Sequence, residues 1–211
     1  LRRIVVTGIP EVLMVSRLLF SILLLAALPV GAQSLFVPEG HTAPYLGAGW
    51  FTDGELHGAM AEVGVMLQGK ADAGLQVTRE DLGNGRHATL WSPGVRLHVS
   101  RPRPESLVGF SVEASLTMGR IGYDDEPGNH AVVKGAGAAA RLAVVPRSWL
   151  GDGYVYLALG AQTITVGSAT GDAYPVAFGV ARRIARELLA DARFTSADGE
   201  HRYLLGALLV F

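Results

Sequence analysis

Few residues in this sequence sit where they could do covalent chemistry. His98 and Ser100 form a His-x-Ser pair. On one strand that spacing puts both side chains on the same face, where an imidazole could take the proton of a hydroxyl nucleophile. Arg101-Pro102 follows immediately, and a polar pair beside a turn is the plainer reading. Asp124, Asp125 and Glu126 offer hard oxygens of the kind Ca²⁺ takes, and Asp53 and Glu55 form a smaller acidic group. Calcium needs six or more ligands, so both groups read first as solvated loops. Gly135, Gly137 and the Ala136–Ala140 run do not make a phosphate loop, because no Gly-Lys-Ser/Thr follows. No residue is therefore assigned as catalytic, metal-binding or cofactor-binding.

The elements that carry these residues are more informative. The chain has 211 residues, enough for one domain with a sizeable core. Its formal charge of −1 gives no basic field for nucleic acid. The 27 glycines argue against a helical protein. With no cysteine there are no disulfides, thiolate metal sites or lipidated Cys.

Near the N-terminus, Arg17 precedes the apolar run Leu18–Leu28, which only Ser21 interrupts, and Pro29-Val30-Gly31-Ala32 follows. A positive start, a short apolar centre and a small-residue exit make a secretory signal peptide. The run is shorter than the roughly 20 residues of a membrane-spanning helix. Cleavage is expected after Ala32, so residues 1–32 are the signal segment and 33–211 the mature domain, beginning at Gln33. Leu1–Leu13 precede Met14 and read as an upstream extension of the natural start.

After Gln33 the pattern alternates by twos. Val108, Phe110, Val112, Ala114, Leu116 and Met118 share one parity; Gly109, Ser111, Glu113, Ser115, Thr117 and Gly119 share the other. In a strand the two sets face opposite ways. Ala61, Val63, Val65 and Leu67 oppose Glu62, Gly64 and Met66 in the same manner, and Val95 and Leu97 oppose Arg96 and His98. The minor face is small and polar with isolated charges: Glu62, Arg96, Glu113, Asp191 and Arg193. Lone charges among small residues suit the packed polar lumen of a narrow membrane barrel. They are expected to pair there, Arg96 or Arg193 neutralising Glu62, Glu113 or Asp191, because unpaired buried charge is costly. A soluble sandwich would carry more charge than the observed 18 %.

The fold expected is all-β, an antiparallel up-and-down transmembrane β-barrel of about ten strands. They lie near Tyr45–Trp50, Leu56–Leu67, Asp72–Arg79, Ala88–Ser100, Leu107–Gly122, Val132–Val145, Tyr154–Val166, Tyr174–Arg182, Leu188–Thr195 and Arg202–Phe211. An even count puts both termini on the periplasmic side. Short turns at Gln68–Ala71 and Pro102–Ser106 then face the periplasm, and loops at Glu80–Arg86, Asp124–His130 and Gly167–Ala173 face outward. Val180, Ile184 and Leu188 also fit a helical period. If that segment or Tyr45–Trp50 stays out of the wall, eight strands remain. Trp50, Trp91, Trp149, Tyr123, Tyr154 and Tyr203 lie near strand ends, as interfacial girdle residues do.

The last strand places Tyr203, Leu205, Ala207, Leu209 and Phe211 on one stripe, with an aromatic residue final. This resembles the C-terminal signature of small bacterial outer-membrane β-barrel proteins. The resemblance implies that Tyr203, Leu205, Leu209 and Phe211 mark the chain for the barrel assembly machinery, and that its other partners are outer-membrane lipids. It also implies a non-enzymatic structural, adhesive or small-solute role in the bacterial outer membrane. His98 and Ser100 resemble the catalytic pair of outer-membrane lipid A deacylases, without the asparagine-rich surroundings of that family. A deacylase-like barrel enzyme is thus one alternative, and a soluble exported β-protein is another.

Overall fold

The computed structural model describes residues 40–123, 130–149 and 152–211. The expected signal segment 1–32 and the acidic loop Asp124–Glu126 lie outside the described residues. The strands are β1 (Ala43–Thr52), β2 (His57–Leu67), β3 (Ala71–Asp81), β4 (Arg86–Ser100), β5 (Val108–Tyr123), β6 (His130–Val144), β7 (Gly153–Val166), β8 (Ala169–Ala173), β9 (Val176–Ala185), β10 (Leu188–Ala197) and β11 (Glu200–Val210). Each pairs antiparallel with its sequence neighbour, except that β8 and β9 both pair with β7, one along each half of it. They are two pieces of one wall strand interrupted at Tyr174-Pro175. The wall therefore has ten strands.

The barrel closes where β1 meets β11, from Tyr45 opposite Val210 to Thr52 opposite Tyr203. Closure gives each of the ten wall strands two neighbours, although the β8 piece pairs only with β7 among the described residues. Both ends of the described chain lie at one rim, here the terminal rim; the β1–β2, β3–β4 and β10–β11 turns lie at the other, the loop rim.

The alternation read from the sequence is the alternation of the wall. Glu62 and Met66 point inward while Val63 and Leu67 are exposed outside, and Ser111, Glu113 and Ser115 point inward while Val112, Ala114 and Leu116 point out. A belt of exposed large apolar side chains covers the exterior. Trp50, Trp91, Tyr174 and Tyr203 are exposed at the upper limit of this belt, towards the loop rim.

Several expectations change. The loop expected at Gly167–Ala173 is a tight turn with Gly167 at φ 60°, followed at once by β8. Cross-strand bonds extend this hairpin: the Thr163 hydroxyl donates to Asp172 at 2.5 Å, and Thr165 and Thr170 share a bond of 3.0 Å. The Glu80–Arg86 loop shrinks to residues 82–85, where Gly83, Asn84 and Gly85 all have positive φ. The helical spacing of Val180, Ile184 and Leu188 is overridden by the barrel ladder. β9 and β10 form a hairpin with a bulge, since Leu188 faces Ala185 but Leu189 faces Arg183. Tyr154 is not a girdle residue. It is buried inside, on the same parity as Tyr156. Trp149 is half-buried in a short 3-10 turn at the terminal rim, with the Arg182 guanidinium 5.0 Å above its ring. The side chain of Tyr123 lies outside the described residues.

Candidate functional site

The charged interior follows from packing. A narrow barrel must fill its lumen with side chains. Glycines on the inward parity make room for aromatic rings laid across the neighbouring strand. Tyr45 lies opposite Gly64, where an added Cβ would come within 2.3 Å of the tyrosine hydroxyl. Tyr156 lies opposite Gly179, where an added Cβ would come within 2.3 Å of its ring. Each ring then carries a hydroxyl to a buried acid. Tyr45 donates to Glu62 Oε1 at 2.7 Å, and Tyr156 donates to Asp191 Oδ1 at 3.2 Å.

Arg96 is the centre of the ionic cluster. Its Nε donates to Glu113 Oε2 at 3.0 Å, and its Nη2 contacts the same oxygen. Its Nη1 stands 3.6 Å from Asp72 Oδ2. Two further basic side chains border the cluster. Arg141 Nη2 is 3.8 Å from Glu113 Oε2, with its guanidinium 4.5 Å over the Tyr156 ring. His98 Nε2 is 3.2 Å from Asp72 Oδ2. Towards the loop rim, Arg202 donates to Glu80 Oε1 at 2.6 Å and lies 4.8 Å over the Phe51 ring. Among the described residues, Glu62, Asp72, Glu80, Glu113 and Asp191 are the buried carboxylates, and Arg96, Arg141, Arg193 and Arg202 the buried guanidiniums. The near balance of signs is what a low-dielectric interior demands.

All five charges singled out in the sequence, Glu62, Arg96, Glu113, Asp191 and Arg193, are buried and inward. Arg96 and Glu113 are joined directly, across paired positions of β4 and β5. Glu62 and Asp191 instead take tyrosine hydroxyls, a partner type that charge counting misses. Arg193 shares the inward face of β10 with Asp191. Sequence reasoning did not assign Asp72, Arg141, Glu80 or Arg202 to the lumen. Parity was the available signal: Asp72 and Glu80 alternate with Gly74, Gln76 and Thr78, Arg141 with Gly135, Gly137 and Ala139, and Arg202 with Leu204, Gly206 and Leu208.

The His98–Ser100 pair does not assemble. A bulge at Val99 shifts the register, so His98 faces Ser111 but Ser100 faces Phe110. One extra residue reverses the parity beyond it. His98 therefore points in, towards Asp72, while Ser100 is exposed and accepts the Phe110 N–H at 3.0 Å. Asp53 organises its turn, accepting the N–H groups of Glu55 at 3.0 Å and Leu56 at 2.7 Å. On the terminal strand, Tyr203, Leu205, Leu209 and Phe211 are all exposed on the outer face.

No family model and no curated protein matches the sequence. Solved structures do resemble the fold. The β domain of the Bordetella autotransporter Brka superposes with a TM-score of 0.51 at 11% identity, over 81% of this chain and 99% of that one. The NanC porin gives 0.47 at 11% identity, over 79% and 99%. An outer-membrane channel from Pseudomonas putida F1 gives 0.47 at 10% identity, over 87% and 100%. At such identities the likeness is one of architecture: this chain has the closed, antiparallel ten-stranded barrel fold seen in outer-membrane proteins.

Proposed function

We propose that this chain is a bacterial outer-membrane β-barrel whose lumen is sealed by its own side chains, with a non-enzymatic structural role and no open pore. The observation that carries this reading is the burial of the central charges: Arg96 is 3% exposed, Arg141 5% and Glu113 7%. Charges lining a water-filled channel would keep much of their hydration. Here they are spent on one another and on tyrosine rings, and the large rings of Tyr45, Tyr154 and Tyr156 are buried among them.

The exterior supports membrane insertion. Val99, Leu205 and Phe178 are more than half exposed, which in water would make a large uncovered apolar surface. That weighs against the soluble alternative. The opposed faces of His98 and Ser100 remove the motivation for the deacylase alternative. Export through the segment ending at Ala32, and assembly through the stripe ending at Phe211, belong to the same reading and rest on the sequence.

Conductance in planar bilayers tests it. Refolded barrel should insert, as shown by heat-dependent gel mobility, and give no steady ion current. Reproducible long-lived open steps of one defined size would overturn the sealed-lumen reading.

A further inference from the structure

The exterior is not uniform around the wall. The apolar belt gives way to polar residues towards the loop rim; on β3 and β5 the first outward residues beyond it are the cations Arg79 and Arg120, and on β6 Lys134 interrupts the belt just below Val132. Arg79, Arg120 and Lys134 are all exposed on the outer face. Arg79 pairs with Thr89, which pairs in turn with Arg120. Lys134 pairs with Met118, two residues before Arg120, and is thus its diagonal neighbour, at about 7–8 Å. Among the described residues, the nearest outward carboxylate in register is Asp81, which caps its own turn by accepting the Gly83 N–H at 2.8 Å.

Beside and below these cations the wall is hollowed. A groove of about 790 Å³ runs over β4, β5 and β6, walled by Trp91, Leu116, Met118 and Val132, with Arg120 towards its upper end and Lys134 at its side, level with Met118. A second groove of about 430 Å³ continues from Leu116 over Ala73, Pro93, Val95 and Ala114. It exists because outward positions there carry small side chains between larger ones. An apolar trough headed by clustered cations has the chemistry of a single amphiphile: acyl chain below, anionic headgroup above.

The geometry points to a specific binding site for a phosphorylated, acylated membrane lipid, its phosphate held by Arg120 and Lys134 with Arg79 in reach, and an acyl chain laid in the trough over Leu116 and Ala114. The occupant is a lipid and not free phosphate, because the trough is apolar and lies on the face that meets hydrocarbon; this rests on the membrane reading above. Trp91, at the groove wall, is a built-in reporter.

Trp50→Phe and Trp149→Phe leave Trp91 as the sole tryptophan, since the sequence has three. The barrel is refolded into phosphatidylcholine vesicles containing brominated phosphatidic acid, or brominated phosphatidylcholine at the same mole fraction. The anionic lipid should quench Trp91 with an apparent affinity at least about fivefold higher, the factor equivalent to about 1 kcal/mol for one cation at a membrane surface. Replacing Arg79, Arg120 and Lys134 together by Gln should abolish the preference while heat-dependent mobility still reports a closed barrel. If that triple variant does not fold, Arg120→Gln and Lys134→Gln alone should each weaken it. Ala114→Phe, which fills the trough, should weaken it too. Equal quenching by both lipids, or a preference that survives loss of the cations, would overturn the site and leave the membrane reading intact. Absence of quenching by either lipid would overturn both.

Discussion

Replacing Arg96 with Met keeps most of the side-chain volume and removes the charge at the centre of the lumen. Arg96 makes both a hydrogen bond and an ion pair with Glu113 and stands 3.6 Å from Asp72. The side chains involved are only 4–6% exposed, so water cannot replace the guanidinium in place. Breaking a buried pair from one side costs about 3–5 kcal/mol, because the remaining charge stays desolvated. The lower end applies here. Arg141 remains 3.8 Å from Glu113, and His98 remains 3.2 Å from Asp72. A loss of about 3 kcal/mol corresponds to a fall in the urea midpoint of about 1.5 M for a slope near 2 kcal/mol/M. The assay is reversible urea unfolding in lipid vesicles, followed by tryptophan fluorescence. The double variant Arg96→Met/Glu113→Leu removes both charges of the pair and should recover to within about 1 kcal/mol of the parent. Parent-like stability of Arg96→Met alone would refute the reasoning, as would a double variant no more stable than the two losses summed.

The glycine sockets predict a steric effect. Gly179→Val places a Cβ and two methyls where the Tyr156 ring lies, so the folded, heat-shifted band should be lost or strongly reduced on gels. Deleting Phe211 should leave export intact but reduce the outer-membrane fraction, with protein accumulating in the periplasm or degraded; equal outer-membrane levels would show the terminal aromatic to be incidental. Intact mass of membrane-extracted protein should correspond to a chain beginning at Gln33, and retention of Leu18–Leu28 would contradict the signal-peptide reading.

The sequence by itself determined the class of fold and the two faces of its wall. Strand side chains alternate with a period of two, and an apolar exterior with packed polar groups inside gives the two sets opposite chemistries. Hence Val63 and Glu62, or Val112 and Glu113, could be assigned to their faces without coordinates. The stripe ending at Phe211 lies on the strand that closes the barrel, and its face was legible from the alternation of Tyr203, Leu205, Ala207 and Leu209. Local pattern does not carry register. A single bulge at Val99 sent Ser100 to the opposite face from His98, and nothing in His-x-Ser-Arg-Pro signals the extra residue. Partner choice was equally hidden. That Arg96 meets Glu113 depends on which residues of β4 and β5 stand opposite, and that Glu62 meets Tyr45 depends on a ring folding across Gly64. The cations of Arg79, Arg120 and Lys134 are separated in sequence and become one cluster only when the four strands β3 to β6 are laid side by side. Closing the barrel fixes those neighbours, because each strand's register is set by both of its partners at once.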